Sequence, residues 1–216
     1  MTDGTADLTP LGHLVEVIAA RGRAGRSLTA LAGPPAAGKS TLSAAIVDRL
    51  NAAEPGSAGL LQMDGYHFDD RVLVPLGLRP RKGAPDTFDV AGLAHMLTRL
   101  RANTEDAIAV PVFDRSLEVA RAAAGLVPRS VRHLVVEGNY LLLDRAPWRD
   151  LAPLFDTTVM IVADTDLLRR RLVARWEGHG LGAEEIAAKV DGNDLPNALL
   201  VLRESRPAEF RIAGET

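Results

Sequence analysis

The stretch GPPAAGKST at positions 33–41 limits what this chain can fold into more than any other. Gly33, Gly38, Lys39 and Ser40 fit the pattern G-x-x-x-x-G-K-[ST]. An apolar run at 27–32 precedes it, and Leu42, Ile46, Val47 and Leu50 follow at helical spacing. Strand, glycine-bounded loop and helix in that order form a phosphate-binding loop. Consecutive backbone N–H groups converge on one anion, and the helix start adds its positive end. Gly33 and Gly38 permit the turn and the close approach of backbone to phosphate. Pro34 and Pro35 carry no N–H, so the donors run from Ala36 through Ala37 and Gly38 toward Thr41. Lys39 reaches the outer phosphates, and the Ser40 hydroxyl is a ligand for Mg²⁺. The loop is expected to hold a triphosphate tail.

Composition agrees with an ordinary globular protein. Of 216 residues, 47% are apolar and 25% charged, enough for one core with small insertions. The formal net charge of −3 gives no broad basic footprint, so nucleic acid is not an expected partner. There is no cysteine, which excludes disulfides, thiolate metal sites and thiol catalysis. The start, MTDGTAD, lacks the basic-then-apolar pattern of a signal peptide, and the apolar runs are too short to span a bilayer. A cytoplasmic protein without a membrane partner is expected. Lysine occurs only at 39, 82 and 189, so Lys39 stands out within its loop.

The rest of the chain alternates strands and helices. Helices are predicted at about 10–22, with Thr9-Pro10 as cap and first turn, at 39–53, and at 89–102 with Asp89 as cap. Two more are predicted at 166–177, capped by Asp166, and at 183–202, weakened at Gly192 and Pro196. Five strands at about 28–32, 59–63, 133–136, 158–163 and 209–212 predict a mostly parallel sheet covered on both faces. Residues 107–113 read as a strand, but Pro111 cannot donate to a ladder. This segment is therefore assigned to an edge or a separate hairpin, with 121–127 as its partner. The stretch 65–87 reads as a long irregular loop, a length uncommon without a function.

Ligands of such sheets gather at the carboxyl ends of the strands. The loop at 33–41, Asp64, Glu137 and Asp164 all follow predicted strand ends. A carboxylate beside a phosphate loop holds Mg²⁺ directly or through water, which suits Glu137. Asp64 can accept a proton from an attacking hydroxyl, although Asp64-Gly65 is also a common turn dipeptide. Arg171 and Arg175 lie four apart on one helix face, where they can close over transferring phosphates. A solvated basic face near a helix C-terminus accounts for that spacing somewhat better. Trp148 and Trp176 are assigned to packing. Asn193 and Asn197 fit either a nucleotide contact or a polar helix face.

Taken together, GPPAAGKST (33–41), LLQMDGYHFDD (60–70), RKGAPDTFD (81–89), PVFDRSLEVA (111–120), VVEGNYLLLD (135–144) and RRRLVAR (169–175) resemble the phosphoribulokinase/uridine kinase family of P-loop kinases. Within it, the resemblance is nearest to the fructose transport system kinases, with kinship to type I pantothenate kinases. It implies a P-loop NTPase fold, a three-layer α/β/α domain over 1–216 with a five-stranded parallel sheet and a small β-hairpin insertion. Insertions at about 65–89 and 107–128 shape the acceptor site, and a lid occupies about 166–193. The implied cofactors are ATP and Mg²⁺. The implied reaction moves the γ-phosphoryl group to a hydroxyl of a small metabolite, a fructose-like sugar first, a nucleoside or pantothenate as alternatives. By resemblance, Asp64 is the base, Glu137 serves the metal, and Arg171 and Arg175 belong to the lid. Tyr66, His67, Arg81, Lys82 and Arg115 match acceptor-pocket positions. Asp114-Arg115-Ser116 after Phe113 departs from the Ser-His of pantothenate kinases, and Arg115 stands where uridine kinases carry an aromatic. Relatives are often dimers or tetramers, so a homodimer is compatible. A nucleotide-dependent regulator without an acceptor is the alternative of another class, though no N-K-x-D or LSGGQ signature is present.

Overall fold

The computed structural model describes residues 8–214; the acidic stretch MTDGTAD lies outside them. Five strands form one parallel sheet in the order β2-β5-β1-β6-β7. They are β1 (Ser27–Ala32), β2 (Ala58–Gln62), β5 (His133–Gly138), β6 (Thr157–Val162) and β7 (Phe210–Ala213). Every residue of β1 and β5 is buried, as a central parallel strand covered on both faces requires. Alternate residues serve opposite cores. Leu28, Ala30, Leu134 and Val136 join the cluster that holds Leu93, Leu97, Tyr140 and Trp148. Leu31, Val135, Val159 and Ile161 join the cluster under α1 (Leu11–Arg21) and α2 (Lys39–Ala53).

The proline reading of 107–113 holds. β3 (Ala107–Asp114) and β4 (Val119–Pro128) form a separate antiparallel hairpin, and their register shifts between Val110 and Val112, at Pro111. An irregularity there removes the need for the missing donor. The 65–87 segment is more ordered than its composition suggests. It contains 3₁₀ turns at Met63–Tyr66, Arg79–Arg81 and Pro85–Thr87 and the short α3 (Asp70–Leu73). Phe68 N–H donates to the Thr87 carbonyl (2.9 Å) and Asp89 N–H to that of Tyr66 (2.8 Å), so the excursion closes on itself. Asp89 caps α4 (Val90–Ala102) by accepting from Gly92 N–H at 2.8 Å.

Three local expectations are corrected. Thr9 does not cap α1; its N–H donates to the Arg211 carbonyl (2.7 Å), tying the chain to β7. The cap of α5 (Thr165–Gly178) is Asp164, whose carboxylate accepts from the N–H groups of Asp166 (2.8 Å) and Leu167 (3.3 Å), not Asp166. The 183–202 segment is α6 (Ala183–Lys189), a π turn at Val190–Asp194, and α7 (Leu195–Glu204). Gly192 and Pro196 are thus absorbed by one wide turn and a helix start, where proline needs no N–H.

Candidate active site

The phosphate loop leaves β1 at Ala32 and enters α2 at Lys39. Ala36 and Gly38 adopt positive φ (63° and 92°), which turns the backbone toward a common centre. Gly33 packs on β6, where an added Cβ would lie 3.0 Å from that of Ile161. The Ala37 N–H is used within the loop, donating to the Pro34 carbonyl (3.2 Å). Lys39 curls over this cradle, its ammonium donating to the carbonyls of Gly33 (3.0 Å) and Pro34 (2.9 Å). Burial of that ammonium pushes its pKa down to about 8, against the pull of Asp64 and Glu137.

Glu137, 6% exposed at the end of β5, has both carboxylate oxygens engaged. One accepts from Ser40 Oγ (3.2 Å) and Gln62 Nε2 (2.8 Å), the other from Ser43 Oγ (2.7 Å). Gln62 and Ser43 escaped the sequence reading. The fold places them: Gln62 is the register partner of Glu137, and Ser43 sits one turn after Ser40 on the same face of α2. The donor set around Ser40 and Glu137 is all oxygen, hard and sparse, and fits Mg²⁺.

Asp64 sits in the turn that follows β2. This turn lies tight against two neighbours. A Cβ on Gly138 would come within 2.5 Å of Met63 Cβ, and one on Gly65 within 2.7 Å of the Pro111 carbonyl. The two acid-bearing strand ends and the hairpin are therefore held at backbone contact distance. The Asp64 carboxylate accepts from Arg115 Nη2 at 2.8 Å. Its carbonyl accepts from His67 Nδ1 at 2.8 Å. The His67 ring lies 4.0 Å from that of Phe88 and 4.8 Å from that of Phe113, centroid to centroid. Burial lowers the His67 pKa further below its ordinary value than Asp64 restores.

One cavity of about 1280 Å³ joins these parts. Ala36, Gly38, Lys39, Ser40 and Thr41 line one wall; Asp64 and Glu137 lie between; His67, Arg81, Lys82 and Arg115 line the far wall. Arg171 and Arg175 close it from α5, and Arg171 Nη1 donates to the Ala36 carbonyl (3.1 Å). Three predicted residues do not line it. Gly33 and Ala37 lie within the loop, and Tyr66 is buried in the core. Burial raises the Tyr66 pKa. Trp148 is core, as expected, whereas Trp176 reaches the cavity, donating to Asp194 (2.6 Å) with the Lys189 ammonium 4.5 Å from its ring centroid. Asn193 and Asn197 also line the cavity. The loop at 79–87 is pinned from three sides. Tyr140 donates to the Gly83 carbonyl (2.6 Å), Trp148 to that of Pro85 (3.2 Å) and Asn193 to that of Lys82 (3.1 Å).

No protein-family model matches the chain. It is 36% identical over 211 residues to the uncharacterised YggC protein of Escherichia coli K12, spanning 93% of this chain and 83% of that one. It is 34% identical to a candidate uridine kinase of Schizosaccharomyces pombe, spanning 82% of this chain and 78% of that protein. The crystal structure of a candidate fructose transport system kinase from Silicibacter sp. TM1040 matches with a TM-score of 0.86 and 38% identity. That match covers 94% of this chain and 98% of the other. The chain belongs to the phosphoribulokinase/uridine kinase family of P-loop kinases. As a member it is an ATP-dependent small-molecule kinase, which sets aside the regulator alternative. Its fold is that family's three-layer arrangement with a hairpin insertion. No helix among the described residues is long and apolar enough to cross a membrane.

Proposed function

We propose that this kinase transfers the γ-phosphoryl group of ATP to a hydroxyl of a sugar-like metabolite, with Asp64 as the base. The observation that carries the reading is the meeting of the phosphate cradle, Glu137 and Asp64 in one cavity whose far wall comes from the 65–89 segment and the hairpin. The cradle binds the triphosphate through the N–H groups opening α2 and through Lys39, with Gly33 and Ala37 supplying shape. Ser40 and Glu137 hold Mg²⁺, which when bound neutralises phosphate charge. Asp64 accepts the proton of the acceptor hydroxyl as its oxygen bonds to the γ-phosphorus and the bond to the ADP oxygen breaks. Arg171 and Arg175 stabilise the charge that develops. His67, Arg81, Lys82 and Arg115 face the acceptor, while Tyr66 supports the turn from behind.

Sugar is favoured over a nucleoside because the aromatic surface of the far wall is already used. His67 packs against both Phe88 and Phe113, and Arg115 takes the place of a stacking ring. The test is ADP release and product mass across sugars, nucleosides and pantothenate. Turnover confined to sugars supports the reading; turnover confined to a nucleoside or pantothenate overturns it.

A further inference from the structure

Resting on that reading, we propose that the acceptor carries an anionic group, a phosphate monoester or a carboxylate, held between Arg115 and Lys82 beside Phe113, and that its arrival draws Arg115 away from Asp64. Four cations line the far wall, Arg79, Arg81, Lys82 and Arg115. The carboxylates that pair the first three lie behind it. Asp70 is shared by Arg79 (2.6 Å) and Lys82 (2.7 Å), and Asp86 pairs Arg81 (3.2 Å). Arg115 differs, because its side-chain bond goes to Asp64, the carboxylate assigned to the chemistry. A hydroxyl docking on Asp64 must share or displace that guanidinium.

A displaced guanidinium needs a new acceptor, and its planar fork matches a carboxylate or phosphate. Lys82 is placed to share the load. Its side chain is only 9% exposed, and two of its three donors are taken, by Asp70 and by the Glu118 carbonyl (2.6 Å), leaving one for the cavity it lines. The Lys82 ammonium and the Arg115 guanidinium stand 5.9 and 5.8 Å from the centroid of the same ring, Phe113. An anion that enters between the two cations meets both. A neutral sugar offers hydroxyls alone and gives the displaced guanidinium no counter-charge.

The test compares matched acceptors: D-fructose with D-fructose 6-phosphate, and D-glucose with D-gluconate. ADP release and product mass are read for the wild type, Arg115→Gln and Lys82→Gln, with ATP binding by calorimetry as the folding control. The expected result is a kcat/KM for one anionic member about 100-fold or more above its neutral partner, carried by KM and reduced at least tenfold by Arg115→Gln. The pair that responds tells phosphate from carboxylate. Equal or better use of the neutral members overturns the anion site and leaves the kinase reading standing. A preference that survives both substitutions overturns the assignment to these residues. No ADP release with any member, despite intact ATP binding, overturns the sugar-like acceptor and the anion site with it.

Discussion

The hydroxyl of Ser43 donates to Glu137 Oε2 at 2.7 Å, inside the protein and one helical turn from Ser40. Together with Gln62 it fixes the carboxylate before any cation arrives. Outer partners of this kind tune metal affinity by roughly ten- to a hundredfold. Ser43→Ala is therefore expected to raise the Mg²⁺ concentration for half-maximal activity about tenfold while leaving metal-free nucleotide binding near its original strength. A magnesium titration of turnover beside calorimetry in EDTA checks this.

Much of this arrangement is legible in the sequence, and the part that is not has a physical reason. β1 and β5 announce themselves because strands buried on both faces are near-continuous apolar runs, here with Ser27 and Thr29 in one and His133 and Glu137 near the ends of the other. Pro111 marks the hairpin because its missing donor is a local fact. Lys39, Asp64 and Glu137 follow strand ends, and a parallel sheet collects its strand ends on one side. Gln62 and Ser43 depend on which strands are neighbours and on the rotation of α2 over them, which no local pattern carries. The Arg115–Asp64 pair joins residues 51 positions apart because the hairpin packs against the Asp64 turn. Asp164 and Asp166 are both good caps, and only the start of α5 decides between them.

Lys39 predicts a pH dependence. Burial lowers its pKa from 10.5 to about 8 in the free protein, and a bound triphosphate raises it again. Above about pH 8 the free protein lacks a proton that the complex regains, so binding takes up a proton. Affinity should fall as pH rises from about 8 toward 10, by at most about tenfold per unit. Calorimetry in buffers of different ionisation heat at pH 8.5 should show the uptake, and Lys39→Met should abolish it.

Tyr140 reaches the 79–87 loop from the core, donating to the Gly83 carbonyl. Tyr140→Phe removes that bond and little else. Loss of one such bond is worth about 1 kcal/mol, or about fivefold in an equilibrium. The KM for the acceptor should rise by about that factor with the KM for ATP unchanged, as steady-state kinetics with each substrate varied would show.

Gly65 has room for no side chain, because the Pro111 carbonyl stands where a Cβ would go. Gly65→Ala must push the Asp64 turn away from the hairpin. A loss of about 1–3 kcal/mol in stability and a fall in turnover larger than any change in ATP affinity are expected. Urea unfolding alongside kinetics separates the two effects.

In the proposed reaction Asp64 takes the acceptor's proton beside a nucleotide it does not itself bind. Asp64→Asn keeps the shape and removes the base. The direct measurement is single-turnover phosphoryl transfer from ATP to the best acceptor of the panel, with ATP affinity read by calorimetry on the same preparations. Transfer by Asp64→Asn is expected to be slower by about 10²–10⁴-fold, with ATP affinity within about threefold of wild type. Transfer at the wild-type rate in Asp64→Asn would contradict that role.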